Sequence, residues 1–149
     1  MGKRKWWIVA AITWMVSIFF FTQLPYFTGQ NTAKVIRKAV INETKTIVAQ
    51  SDNPVDINEL NLIVRKVTHI IVFGILAFLL FKSLETFRSS YILAWLLTVL
   101  YALSDEWHQS FMPGRVAAYR DVLFDSIGAV IGLLISYLII RRKKEKNGS

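Results

Sequence analysis

VLFDSIGAVIGLLISYLII, Val122 to Ile140, is 19 residues long and carries a single charge, Asp125. A helix needs roughly 20 apolar residues to cross the ~30 Å hydrocarbon core of a bilayer. This stretch meets that length once Asp125 is accepted inside it. Upstream, Trp6 to Leu24 gives another 19 residues with no formal charge. Two more apolar runs lie between them: Val67 to Leu84, interrupted by His69 and Lys82, and Tyr91 to Trp107, which turns acidic at Asp105. Four such runs in 149 residues leave too little polar surface to cover them as buried helices of a soluble bundle.

The fold expected is therefore an all-α integral membrane protein, a single domain over residues 1–149 with four transmembrane helices at about 6–24, 67–84, 91–107 and 122–140. Lys3, Arg4 and Lys5 before the first run resemble a signal-peptide n-region. The run is long for an h-region, and no small-x-small site follows in Thr22–Tyr26, so it reads as a retained anchor. Without cysteine, the chain has no disulfides, thiolate nucleophiles or Cys-ligated metal.

A formal charge of +8 and a pI near 9.9 suggest nucleic acid at first sight. The positions of the charges argue otherwise. Lys3, Arg4, Lys5, Lys82, Arg88, Arg141, Arg142, Lys143, Lys144 and Lys146 flank the runs on one side, accompanied by only Glu85 and Glu145. The positive-inside rule puts this set, both termini and the basic tail 141–149 in the cytoplasm. Eight basic and eight acidic residues remain for the outer side. The surplus is thus a topology signal with an affinity for anionic inner-leaflet lipid, and a nucleic-acid partner is excluded. Trp6, Trp7, Tyr26, Tyr91 and Trp107 fall near the run ends, as an aromatic belt does.

The long 1–2 connection, residues 25–66, lies outside and is expected to be helical. Val35, Ile36, Ala39, Val40 and Ile47 recur at helical spacing among Lys34, Arg37, Lys38 and Lys45. That pattern suits an interfacial amphipathic helix or a helix packed on the bundle. Asp56 and Glu59 resemble a capping box starting a second helix, which Leu60, Ile63, Val64 and Val67 carry into the second run.

Polar residues inside the runs carry the functional signal. Between Lys66 and Lys82 lie 15 residues, between Arg88 and Asp105 16, and between Asp125 and Arg141 15. At 1.5 Å per residue these reach only about 22–24 Å. The shortfall draws His69, Asp105 and Asp125 to the outer hydrocarbon boundary, where ionisable groups are costly and face a cavity or a partner. Asp105, His108 and Gln109 share a helix face, with Glu106 beside them. Asp121, Asp125, Gly128, Gly132 and Ser136 form one stripe, in which Gly128 and Gly132 permit close helix packing. Ala94, Thr98 and Ala102 make a small-residue stripe expected to face it. Pro113-Gly114 suits a type II turn that places Arg115 near both helix ends, with Arg120 following. Either arginine could hold phosphate or carboxylate, or neutralise Asp105, Glu106 or Asp121. No cofactor motif is evident. The set His69, Asp105, Glu106, His108, Gln109, Asp121 and Asp125 suits acid–base work or a divalent metal, and equally a network of ion pairs locking helix ends.

Ser104-Asp105-Glu106-x-His108-Gln109-x-Phe111-x-Pro113-Gly114-Arg115, followed by Arg120-Asp121-Val122-x-x-Asp125-x-x-Gly128-x-x-x-Gly132, resembles the VanZ-like membrane protein family. Lys66-x-x-His69 fits the same pattern, whereas Phe73 stands where members often carry Tyr. The resemblance implies a small multi-span protein of the bacterial cytoplasmic membrane, associated with reduced susceptibility to teicoplanin-like lipoglycopeptides. Its partners would be the lipid bilayer, lipid headgroups, cell-wall precursors or the lipoglycopeptide itself. It supplies no reaction. An intramembrane enzyme acting on lipid-linked or phosphate-bearing substrates, and a structural or assembly partner, are the competing readings.

Overall fold

The computed structural model describes residues 2–23, 34, 35, 38, 57–111 and 119–147. Four long helices account for nearly all of these: α1 (Gly2–Gln23), α2 (Ile57–Leu84), α3 (Ser90–Gln109) and α4 (Tyr119–Asn147). No strand occurs among the described residues. Lys34, Val35 and Lys38 are helical and exposed. The rest of the expected amphipathic segment, the Asp56 cap and the Pro113–Arg115 turn lie outside the described residues.

The helices are longer than the apolar runs that announced them. α2 begins at Ile57, ten residues before the expected span, and passes through Glu59, Arg65 and Lys66 without a break. α4 continues through Arg141–Lys146 to Asn147, so the basic tail is helical over most of its length. Helix continuity depends on backbone hydrogen bonds, whereas the span boundary depends on hydropathy, and charged residues such as Lys, Arg and Glu are good helix formers. A short turn joins α2 to α3, with Phe87 N–H donating to Leu84 O at 2.9 Å and Ser90 N–H to Phe87 O at 3.2 Å. Beside it, Lys82 pairs with Glu85.

α1, α2 and α4 are each long and apolar enough to cross a membrane. α3 has 20 residues and closes on the polar run Ser104–Gln109. The side chains are arranged inside out. α4 buries Asp125, Gly128 and Ser136 and exposes Leu123, Ile127, Val130, Leu134, Ile135 and Leu138. A soluble helix does the reverse. Large apolar residues facing outward on α1, α2 and α4 need an apolar solvent.

α2 packs most extensively against α4, and α1 and α3 flank this pair. Two apolar clusters lie along the bundle. Ile18, Phe73, Leu76, Ala102 and Val122 form one, near the end that carries Gln23, Ile57, Gln109 and Tyr119, hereafter the upper end. Ala77, Phe81, Ala94, Ala129 and Leu133 form the other, below it.

The glycine stripe packs closely on α2. A Cβ on Gly128 would lie 2.3 Å from Ile70 O, and one on Gly132 would lie 2.3 Å from Gly74 O. Both glycines therefore press on the backbone of α2, while Ala94 of the α3 stripe meets the glycines' own helix at Ala129. Gly74 completes the contact, its own Cβ position 3.0 Å from Gly128 O. The α3 stripe is buried as well, with Ala94 beside Ala77, Phe81 and Leu133 in the lower cluster.

Candidate functional site

The close α2–α4 packing brings His69 to Asp125. His69 Nδ1 and Asp125 Oδ1 are 2.9 Å apart, with the carboxylate side chain 1% exposed and the imidazole 19%. An ionised carboxylate only accepts, so Nδ1–H donates and Nε2 is the ring's other polar atom. Among the described residues, Nε2 has no hydrogen-bond partner. The ring stacks on Phe73, centroids 6.0 Å apart and 16° from parallel. Phe73 in turn lies 6.3 Å from the Tyr101 ring. The position where a hydroxyl was missing from the family pattern thus supplies an apolar plate beside the imidazole.

One turn above, Arg65 faces Asp121 at 3.8 Å. Lys66 lies over the Phe124 ring at 4.5 Å, a cation–π contact between the same helices. Arg120 is exposed at the start of α4, and Arg115 lies outside the described residues.

Asp105 and Gln109 belong to a second bonded set, between α1 and α3. Thr22 Oγ1 donates to Asp105 Oδ1 at 2.9 Å, and Gln109 Nε2 donates to Asp105 Oδ2 at 2.8 Å. Glu106 is buried beside them. His108 contacts the Phe19 ring edge-on at 4.9 Å. The seven candidates on α2, α3 and α4 are therefore all at the upper end, and five of them have the bonded partners described: His69 with Asp125 and, one turn above, Asp121 with Arg65 between α2 and α4, and Asp105 with Gln109 and Thr22 between α1 and α3. Among the described residues, no group of three His, Asp or Glu is placed to hold a metal ion. Ser136 donates to Gly132 O at 2.7 Å within its own helix, a packing role.

A cleft of about 430 Å³ opens between α1 and α2, and His69 lines it. Trp14, Ile18, Phe21 and Thr22 form one wall; Arg65, Thr68, Val72 and Phe73 form the other with His69. Thr22 and Trp14 gave little sign of this in the sequence, since a Thr ending an apolar run and a Trp within one are ordinary. Gly74 was equally silent, a lone glycine whose value depends on the helix opposite.

The model of one protein family, VanZ/LLP1, matches residues 7–141. The chain belongs to the VanZ/LLP1 family. The match runs from the start of α1 to Arg141 in α4 and so takes in both bonded sets and the cleft. VanZ/LLP1 membership together with three membrane-length apolar helices makes this a membrane protein, and the family fits a cell-envelope setting. No curated protein and no solved structure matches the chain.

Proposed function

We propose that this VanZ/LLP1-family protein crosses the bacterial plasma membrane four times with both termini inside. Its outer-leaflet site lowers susceptibility to teicoplanin-like lipoglycopeptides by engaging lipid-tailed molecules. The charge distribution supports the topology: the ends of α1 and α4 that bear Lys3–Lys5 and Arg141–Lys146 flank the α2–α3 turn with Lys82 and Arg88. The observation that carries the function is His69, held by a buried aspartate and lining an apolar cleft at the opposite end. A helix-end lock alone needs no cleft beside it.

Expression in a teicoplanin-sensitive Gram-positive host, with membrane levels confirmed, tests this directly. Raised resistance supports the reading, and unchanged susceptibility contradicts it. Asp125→Asn separates site from scaffold: a well-folded variant that loses the phenotype places Asp125 in the site.

One feature favours a second reading, an acid–base enzyme on a lipid-linked phosphate. A buried carboxylate behind an imidazole is the arrangement that orients a general base. Turnover of lipid-linked phosphates by the purified protein, abolished in His69→Ala, would establish it. Absence of turnover with and without added divalent metal would remove it.

A further inference from the structure

The cleft between α1 and α2 has an architecture of its own. Its α1 wall runs from Trp14 to Thr22 and its α2 wall from Val64 to Phe73. Such stretches extend about 12 Å at 1.5 Å per residue. The volume, about 430 Å³, lies within the range of small-molecule sites, about 300–1,000 Å³.

The hydrogen bonds of α1 change partner along the cleft. In its lower half α1 is tied to α2: Arg4 Nε donates to Ser83 O at 3.2 Å, and Trp14 Nε1 to Val72 O at 3.0 Å. Higher up the ties pass to α3: Tyr101 Oη donates to Met15 O at 2.6 Å, and Thr22 Oγ1 to Asp105. Along the cleft, α1 thus bonds to α3 as well, while Ile18 still packs on Phe73 and Leu76 of α2.

The cleft is also graded in polarity. Trp14, Val72 and Phe73 line it lower down the helices, whereas Arg65 and Thr22 line it nearer the upper end, with His69 between. The Arg65 side chain is 42% exposed, and its contact with Asp121 at 3.8 Å is longer than a hydrogen bond. The guanidinium fork thus keeps donors for another anion.

From this grading we infer that the cleft binds one acyl chain of a single-chain anionic amphiphile. The tail lies against Trp14 and Phe73, and the carboxylate or phosphate sits on the Arg65 guanidinium. The inference rests on the reading above and names which part of the lipid-tailed molecule is held.

The test uses the full chain in phosphatidylcholine nanodiscs and a fatty acid with a photoreactive diazirine near the middle of its chain. Labelling should concentrate on Trp14, Ile18, Val72 or Phe73, saturate, and be competed by palmitate but far less by methyl palmitate. Competition by an alkyl phosphate as strong as by palmitate assigns the preference to a phosphate head as well as a carboxylate. Arg65→Gln should raise the half-saturating concentration about tenfold, the worth of one charge-assisted hydrogen bond. Ser17→Phe with Thr68→Phe fills the cleft from positions outside the core and should abolish saturable labelling while the protein stays monodisperse. Labelling that never saturates and spreads over lipid-facing Val9, Ile12 and Ile71 would overturn the inference. So would absence of labelling because residues 24–56 of the chain, or a second copy, fill the cleft. Antibiotic protection without cleft labelling sinks this inference alone; labelling without protection sinks only the antibiotic reading.

Discussion

A carboxylate enclosed between helices costs several kcal/mol unless a partner meets it. Asp125 meets His69, and the pair crosses from α4 to α2. Breaking such a pair costs about 3–5 kcal/mol in soluble proteins, but polar contacts between membrane helices average nearer 0.6, with about 1–2 in model peptides. We expect a coupling of about 1–2 kcal/mol from the double-mutant cycle of His69→Ala and Asp125→Ala, because both groups are enclosed. Reversible unfolding in mixed micelles measures it, and additive single variants would mean that the contact contributes nothing. That these residues need partners was legible from their cost in an apolar run. Which of them pair was not, because pairing depends on helix rotation. Asp105 illustrates the difficulty: Gln109, on the face the spacing gave, does donate to it, but so does Thr22, whose hydroxyl lies near the end of an otherwise unremarkable anchor.

At the scale of the helix, the α2–α4 seam depends on three glycines. The Cβ of Gly128→Ala or Gly132→Ala would meet backbone carbonyls that no rotamer change can move. Each should cost about 1–3 kcal/mol, the range for overpacking. Gly74→Ala, with its looser 3.0 Å approach, should cost less. Unfolding midpoints of the three variants check the order, and a Gly74 variant as damaging as the other two would contradict it. The sequence displayed Gly128 and Gly132 as a spaced pair but was silent on the partner, since Ala94, Thr98 and Ala102 made an equally good small stripe. The start of the second helix was legible for a different reason: Asp56 and Glu59 marked a helix beginning there and running into the apolar run, and α2 does run unbroken from Ile57, whereas hydropathy marks only where lipid ends.

For the whole molecule, the placement of the charges around the apolar helices bears on orientation and says little about chemistry. Alkaline phosphatase fused at Asn147 should be inactive and a fluorescent protein there bright, whereas insertion near Val35 should give active phosphatase. An active C-terminal phosphatase would reverse the topology and put the His69 end inside the cell. Four helices were legible as apolar runs. The cleft was not, because it depends on how α1 sits against α2, a relation between helices that neither run displays.

The central claim is that the His69–Asp125 end of this bundle is a working site for lipid-tailed molecules. Teicoplanin susceptibility of a sensitive Gram-positive host, measured with wild type and His69→Ala at matched membrane levels, tests it most directly. Wild type should raise the inhibitory concentration of teicoplanin but not that of a glycopeptide lacking an acyl tail, and His69→Ala should return it to the level of the bare host. Equal protection by wild type and a well-folded His69→Ala, or none from either, would contradict it.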